Sequence, residues 1–280
     1  MKRSSSTDRV LPVTSVDSGH VEEIAPGIYC YTIQIVNAYF INNLEHPTQW
    51  ILVDAGMPAS GDKILEKAEE LFGAEHQLQE IILTHGHFDH IGGIIDILEK
   101  HQVPVYVHPL EMPFLRGEQD YPTPDSTVEG GAVAKMSVVF PVEAIDISEC
   151  LRPLPQDKSV PLMPGWRWIH TPGHSPGHVS LFREEDRLLL AGDAFVTLKQ
   201  DSLYKVLTQK QELHGPPVYL TTDWEASQES VRTLAELRPK IAGTGHGKPM
   251  SGTDLPHELA RLASNFAELA VPDHGKFVQE

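Results

Sequence analysis

The alternation of apolar and polar positions divides the first half of the chain into short strands and amphipathic helices. Residues 60–72 are typical of a helix, because apolar side chains recur at helical spacing, Ser60 can cap the start and Gly73 can end it. The runs on either side are rich in β-branched and aromatic residues, which favours strands. The predicted elements are strands over residues 28–36, 38–41, 50–53, 80–83 and 103–107 and helices over residues 60–72 and about 91–101.

A similar succession follows in the second half. The sequence Thr222-Asp223-Trp224-Glu225 has the spacing of a capping box and predicts a helix start. Strands followed by helices thus occur twice, in residues 27–107 and 165–270, which predicts an α/β fold (α+β in some schemes). The predicted elements are strands over residues 166–170, 179–182, 188–191 and 240–243, a helix from about residue 222 and a last helix over about 256–269.

The pattern predicts one main domain. Residues 1–20 are polar and non-periodic and are interpreted as a flexible leader, so that residues 21–280 form a single domain. Prolines and glycines interrupt the periodicity over about 109–141, which we interpret as an irregular insertion that is either a cover for a substrate or a plain surface loop. A second irregular stretch spans residues 195–221, and its candidate substrate contacts are Lys199, Tyr204, Lys205 and Tyr219.

The sequence THGHFDH, residues 84–90, is the densest set of metal-binding side chains in the chain. It follows the predicted strand 80–83 and precedes a helix start, so it lies at the carboxyl end of a strand, where α/β folds place their sites. Histidine and aspartate are common metal ligands, and four of them within six residues are difficult to explain by packing alone. The four candidate ligands are His85, His87, Asp89 and His90.

Further aspartates and histidines follow other predicted strands. Strand ends at one edge of a sheet lie close in space even when they are distant in sequence. Together with residues 85–90, these positions supply enough ligands for two metal ions that share one carboxylate. The donors are nitrogen and oxygen only, which suits two divalent metal ions, zinc first, with iron or manganese as alternatives. The additional strand-end residues are Asp54, His174, Asp193 and His246.

The composition and net charge of the chain limit the kinds of partner that we expect it to bind. The chain has 280 residues, 40% of them hydrophobic, and 39 acidic against 22 basic side chains give a net charge of −17. This charge argues against nucleic-acid binding and leaves a small molecule as the expected substrate. We expect no membrane partner, since no apolar run could span a bilayer. The absence of a secretory pattern and two unclustered cysteines, Cys30 and Cys150, predict a cytoplasmic protein, and an oligomer is compatible with the sequence.

The motifs H-x-H-x-D-H, T-P-G-H, G-D and a late G-H, in this order over residues 27–250, resemble the metallo-β-lactamase superfamily. The resemblance implies an αββα four-layer sandwich of two similar halves. It also implies that His85, His87 and His174 bind one metal, that Asp89, His90 and His246 bind the other, and that Asp193 bridges them. Asp54 and His178 would then support ligands without binding metal, and His108 and His170 are assigned to packing.

The resemblance further implies the chemistry. Two cations lower the pKa of a shared water, so that a metal-bridging hydroxide can attack a carbonyl carbon, and Asp89 would act catalytically by carrying a proton to the leaving group. The segment over residues 108–125 resembles small bacterial hydrolases of this superfamily, related to glyoxalase II and lactonases. We therefore expect a dinuclear hydrolase of an ester, a thioester or a lactone, in preference to a β-lactam.

Three other interpretations compete. A mononuclear iron dioxygenase acting on persulfides shares the pattern but uses only two histidines and one aspartate. A metal-binding module that has lost its activity is the alternative that is not an enzyme. Finally, Gly173-His174-Ser175-Pro176-Gly177 matches the G-x-S-x-G elbow of serine hydrolases, but a predicted hairpin follows where that elbow requires a helix.

Overall fold

The computed structural model describes residues 1, 15, 17–128, 131–198 and 211–278. The chain divides into two compact units. The first comprises residues 1–121 and 141–153, and the second comprises residues 122–140 and 154–280. Most of the expected leader lies outside the described residues, as do Lys199, Tyr204 and Lys205.

The first unit contains a seven-stranded mixed sheet in the spatial order β1 to β7. Strands β1 to β4 pair antiparallel, whereas β4 to β7 pair parallel, so the carboxyl ends of β4 and β5 meet at one edge. The strands are β1 (Val21–Ala25), β2 (Ile28–Ile33), β3 (Val36–Asn42), β4 (Gln49–Val53), β5 (Gln77–Ile82), β6 (Val105–Val107) and β7 (Leu151–Pro153).

Helices of the first unit pack on one face of this sheet. Ile64 and Ala68 of the first helix and Ile94 and Ile97 of the third are fully buried in a core that also contains sheet residues such as Ile81. The helices are α1 (Gly61–Phe72), α2 (Phe88–Ile91), α3 (Ile94–Lys100), a 3₁₀ turn (Pro109–Glu111) and α4 (Met112–Leu115).

Two local predictions for this unit were wrong. The helix expected over 91–101 is divided into α2 and α3, because the N–H groups of Gly92 and Gly93 donate to the carbonyls of Gly56 and Ala55 at 2.8 and 3.0 Å rather than to carbonyls of the helix. Ser60 precedes α1 but does not cap it, since its hydroxyl donates to the carbonyl of Met57 at 2.6 Å. The close approach of backbone around Gly92 therefore ends α2 after a single turn.

The second unit contains a five-stranded sheet in the order β14-β13-β10-β9-β8 and a two-stranded sheet of β11 and β12. Only β10 and β13 are parallel in the larger sheet, so their carboxyl ends lie side by side. The elements are α5 (Gly131–Met136), a 3₁₀ turn (Ser137–Val139), β8 (Trp166–His170), β9 (Val179–Arg183), β10 (Leu188–Leu190), β11 (Val196–Leu198), β12 (Gln211–His214), α6 (Trp224–Glu236), β13 (Ile241–Gly243), β14 (Met250–Ser251), α7 (Asp254–Ser264) and α8 (Phe266–Leu269).

The helix starts in this unit also differ in detail from the expectation. Asp223 is the N-cap of α6, because its carboxylate accepts a hydrogen bond from the backbone N–H of Ala226 at 2.9 Å. The last predicted helix begins earlier, at Asp254, and breaks at Asn265. The α/β class is confirmed, since each unit combines a mixed sheet with helices. Among the described residues, no helix has the length and apolar character to cross a membrane.

The segment expected to be an irregular insertion is partly ordered into short helices. Residues 109–115 form the 3₁₀ turn and α4, and residues 131–139 form α5 and a second 3₁₀ turn. Met112 and Leu115 belong to the core of the first unit. The first part of this segment is therefore packed into the fold rather than lying on its surface.

Candidate metal centre

The loop after β5 carries the four candidate ligands of the first unit. Because α2 begins immediately after His87, Asp89 and His90 project from its single turn while His85 and His87 lie on the loop. All four side chains are buried, with at most 5% of their surface exposed. The ring of His85 lies 4.6 Å from that of His87 and 4.2 Å from that of His90, centroid to centroid.

Asp54 follows β4, the parallel neighbour of β5, and its carboxylate contacts the loop after β5 and the start of α2. Its Oδ2 lies 2.8 Å from Nδ1 of His90 and accepts the hydroxyl proton of Thr84 at 2.7 Å. Its Oδ1 accepts the backbone N–H of Thr84 at 2.8 Å. The φ angle of Asp54 is 60°, in the left-handed region, which aspartate tolerates better than most residues. The carboxylate therefore accepts a hydrogen bond from the Nδ1–H of His90, and Nε2 of His90 points away from it.

Thr84 orients the neighbouring histidine as well. Its hydroxyl oxygen lies 3.0 Å from Nδ1 of His85. Because the Thr84 hydroxyl already donates its proton to Asp54, its oxygen must accept a hydrogen bond from His85. Nδ1 of His85 therefore carries a hydrogen. The ring nitrogen that His85 can offer to a metal is therefore Nε2.

A second buried pair holds the backbone between His85 and His87. The N–H of Gly86 lies 3.1 Å from Oε2 of Glu111 and 3.0 Å from the hydroxyl of Tyr121, and the Tyr121 hydroxyl donates to the Glu111 carboxylate. Burial and the adjacent Glu111 carboxylate raise the pKa of Tyr121 well above its usual value, so the phenol keeps its proton. Sequence reasoning missed both residues, because they lie 25 and 35 positions from Gly86 within a segment interpreted as irregular.

In the second unit, three candidate ligand side chains converge at the ends of strands. Asp193 and His246 follow the parallel neighbours β10 and β13, and His174 lies on the loop between β8 and β9. Oδ2 of Asp193 lies 3.4 Å from Nε2 of His174 and 3.3 Å from Nε2 of His246. All three side chains are buried. One carboxylate oxygen thus stands between two imidazole nitrogens.

His174 is oriented by a threonine in the same manner as His85. Its Nδ1 lies 3.2 Å from the hydroxyl of Thr221, which donates its own proton to the carbonyl of Pro217 at 2.8 Å. The threonine oxygen therefore accepts the Nδ1–H of His174, and Nε2 faces Asp193. Neither threonine was singled out from the sequence, although Thr84 belongs to the THGHFDH motif.

His178 supports Asp193 through the backbone. Its Nε2 accepts the N–H of Asp193 at 2.9 Å, and its Nδ1 lies 3.1 Å from the carbonyl of Thr171. Both ring nitrogens are thus engaged in hydrogen bonds, which holds the imidazole neutral and fixes the strand end that carries Asp193.

The remaining candidates have other partners or are buried. Nε2 of His170 is 2.9 Å from the carbonyl of Pro176, and His108 accepts the backbone N–H of Leu110 at 3.3 Å. Tyr219 is buried. The residue Ser175 precedes strand β9 rather than a helix, so the loop lacks the strand–turn–helix geometry of a serine-hydrolase elbow.

The residues of both units have the chemistry of metal ligands. Three histidines are set by hydrogen bonds at Nδ1 to offer Nε2, as metal-binding histidines generally are. The donors are imidazole nitrogen and carboxylate oxygen, a set that fits divalent zinc, iron or manganese. Candidate metal ligands are His85, His87, Asp89 and His90 in the first unit and His174, Asp193 and His246 in the second.

Comparison with known proteins places the chain among similar sequences and folds. Residues 31–246 match the Metallo-beta-lactamase superfamily. A relative from Bacillus subtilis (strain 168), named "Probable metallo-hydrolase YflN", is 49% identical over 263 residues, which cover 94% of this chain and 100% of the relative.

Solved structures agree on the fold. TTHA1623, crystallised in a di-iron-bound form, is 25% identical with a TM-score of 0.50, over 81% of this chain and 92% of that chain. ST1585 from Sulfolobus tokodaii, an archaeal metallo-beta-lactamase superfamily protein, is 20% identical with a TM-score of 0.57, over 92% of this chain and 84% of that chain. The predicted fold is thereby confirmed. Because the matched residues run from β2 to His246 and include every candidate ligand, the chain belongs to the metallo-β-lactamase superfamily.

Proposed function

We propose that the protein is a metal-dependent hydrolase that cleaves an ester, a thioester or a lactone with two divalent metal ions. The observation that supports it best is that Nδ1 of three buried histidines donates a hydrogen bond to Thr84, Asp54 or Thr221, which leaves Nε2 of each ring available. A structural histidine has no need of a fixed tautomer with Nε2 directed toward other ligands. The name of the B. subtilis relative, a probable metallo-hydrolase, is consistent with this activity.

The proposed ligand assignment follows the superfamily motifs. His85, His87 and His174 bind one ion, Asp89, His90 and His246 bind the other, and Asp193 is shared between them. The position of the Asp193 oxygen close to both His174 and His246 supports its role as the shared ligand, because a carboxylate that binds both ions would lie near the ligands of each.

Two divalent cations bound here would lower the pKa of a water that they share and would stabilise negative charge on a substrate carbonyl oxygen. The chain supplies the proton transfer. Asp89 lies on α2, between His87 and His90 in the sequence, and its buried carboxylate would carry a proton from the attacking water to the leaving group. Asp54 and His178 hold His90 and the backbone of Asp193 in place.

Zinc is the proposed metal, and iron is the first alternative because the similar protein TTHA1623 binds two iron ions. The substrate is proposed to be a small molecule, with no nucleic acid as partner, since the net charge is −17. The reducing cytoplasm is the proposed compartment, and the two cysteines, Cys30 and Cys150, are both free thiols.

The test combines metal analysis of the purified protein with hydrolysis of a panel of lactones, thioesters, esters and β-lactams. We expect about two zinc ions per chain and hydrolysis of at least one of the first three classes. One iron per chain with oxygen consumption from a persulfide would favour the dioxygenase instead, and failure to bind any metal would favour a module without activity.

Substitutions connect the activity to the ligands. Asp193→Ala and His87→Ala should each lose metal and activity, whereas Asp157→Asn, an exposed acidic residue in the second unit, should behave as the wild type. Full activity in either ligand variant would overturn the proposal. Ser175→Ala should keep its activity, because the proposed nucleophile is water.

A further inference from the structure

Beneath the loop that carries His85 and His87 lies a buried carboxylate that the proposed chemistry does not use. Glu111 has no exposed surface, and its Oε2 accepts the N–H of Gly86 at 3.1 Å and the hydroxyl of Tyr121. Gly86 is the one residue between the two histidines, so this pair of side chains holds the N–H group of the residue that joins them.

The chemistry of this pair argues against a role in stability alone. Burying a carboxylate costs several kcal/mol unless hydrogen bonds compensate, and an apolar pair of similar volume is commonly as stable or more stable. A buried, hydrogen-bonded carboxylate specifies a geometry better than it adds stability. The geometry that Glu111 specifies is the position of the Gly86 N–H.

Tyr121 extends the same control to a ligand side chain. Its ring packs edge-to-face against the imidazole of His87 with a centroid distance of 4.6 Å and stacks on Phe114 at 3.9 Å. A Cβ added at Gly86 would lie 2.6 Å from the Tyr121 hydroxyl, so the loop can approach this closely only as glycine. Phe114 thus supports Tyr121, and Tyr121 limits the orientations that His87 can adopt.

We propose that Glu111 and Tyr121 are positioning residues that fix the His85–Gly86–His87 loop for metal binding, and that they act selectively on the ion held by His87. This inference rests on the proposed function, since it requires that His87 binds a metal. Residues 109–121 then serve as a support for the metal loop rather than as a cover for the substrate.

The test is a titration of the metal-free protein with Co²⁺ and Zn²⁺ in competition with a chromophoric chelator. Tyr121→Phe keeps the ring and removes the hydroxyl, and we expect one of the two sites to bind about 10- to 100-fold more weakly, the range typical of residues that orient ligands. The other site should stay within about twofold of the wild type, and the visible spectrum of the Co²⁺ protein should change at the weakened site.

One control and two further test variants accompany Tyr121→Phe. Tyr29→Phe removes a hydroxyl that hydrogen-bonds Glu23 in the same unit, away from the loop, and should leave both sites unchanged. Glu111→Gln keeps an acceptor oxygen and should weaken the site less than Tyr121→Phe. Gly86→Ala should weaken the same site, and combining it with Tyr121→Phe should cost less than the sum of the two single effects, because the clash with the hydroxyl is removed.

The outcomes separate this inference from the proposed function. A wild-type protein that binds no metal would overturn both. Two metals in the wild type, with both sites of Tyr121→Phe indistinguishable from it, would overturn the positioning role alone. A third outcome is that both sites weaken equally, the metal-free variant melts at a lower temperature and the Co²⁺ spectrum is unchanged. That outcome would show that Glu111 and Tyr121 only stabilise the fold, and it would overturn the inference as well.

Discussion

Glu80 is a buried acidic residue in the middle of β5, and it should make the stability of this protein fall as the pH rises. Its side chain is 1% exposed, and its Oε1 has no hydrogen-bond partner among the residues that the structure describes. Burial raises the pKa of Glu80 from 4.5 to about 7. The charged form is thus disfavoured in the folded state, and Glu80→Gln removes the group that titrates.

The size and sign of the effect follow from this pKa. Below pH 4.5 the carboxyl is protonated in both the folded and the unfolded chain, so the substitution should have no pH-dependent effect there. As the pH rises, the unfolded chain loses its proton first, so the free energy of unfolding falls until the pH has passed the folded pKa of about 7. The difference between a pKa of 4.5 in the unfolded chain and one of about 7 in the folded chain corresponds to about 3 kcal/mol, which partial solvation reduces to about 1–3 kcal/mol.

The assay is urea unfolding of the metal-free wild type and Glu80→Gln at intervals from pH 5 to pH 8.5, with chelator present throughout. The difference in unfolding free energy between variant and wild type should grow by about 1–3 kcal/mol in favour of the variant across this range. Glu45→Gln, at an exposed position of the same unit, is the matched control and should show a constant difference. Parallel stability curves for Glu80→Gln and the wild type would refute the reasoning.

Three other predictions concern the orientation of a proposed metal-binding histidine, the reactivity of the two thiols and strain in the backbone. Asp54→Asn should weaken metal binding about 10- to 100-fold in a chelator competition, because its carboxylate fixes a ligand histidine, and unchanged affinity would contradict that role. Burial raises the pKa of Cys30 to about 12, so a thiol reagent at pH 8 should modify Cys150 first and Cys30 only on unfolding, as peptide mapping would check. Gly173→Ala should lower the unfolding free energy by more than about 2 kcal/mol, because φ is 126° and a Cβ would lie 2.2 Å from the Ser227 hydroxyl oxygen; a wild-type urea midpoint would contradict this.

The sequence predicted the elements, and the strand-end positions of the candidate ligands, where local pattern decides them. The spacing of apolar residues located α1 over nearly its observed length, and the rule that sites lie at strand ends was enough to select Asp54 and Asp193. A local pattern could not identify the hydrogen bond from His174 to the hydroxyl oxygen of Thr221, since 47 residues separate the two and no motif marks threonine as an orienting residue.

The predictions that were wrong, and the residues that the sequence did not reveal, also have physical explanations. Ser60 has the right spacing for a cap, but nearby carbonyls compete for its hydroxyl. Gly92 is tolerable within a helix by propensity, but the backbone of Pro58 lies directly beside it. In the segment interpreted as irregular, Glu111 and Tyr121 are isolated polar residues among prolines, and only the folded chain places them under Gly86. Tertiary contacts decide the positions of Gly92, Glu111 and Tyr121, whereas a competing local hydrogen bond decides that of Ser60.

The two threonine hydroxyls that accept from His85 and His174 have a consequence for how the protein would take up metal. Each hydroxyl already donates its proton elsewhere, to Asp54 or to the carbonyl of Pro217, so neither ring can reverse its tautomer without breaking two hydrogen bonds. The loss of side-chain freedom is therefore incurred when the chain folds and not when an ion arrives. The apoprotein is preorganised, and an arriving ion would meet imidazoles that need no search to find their orientation.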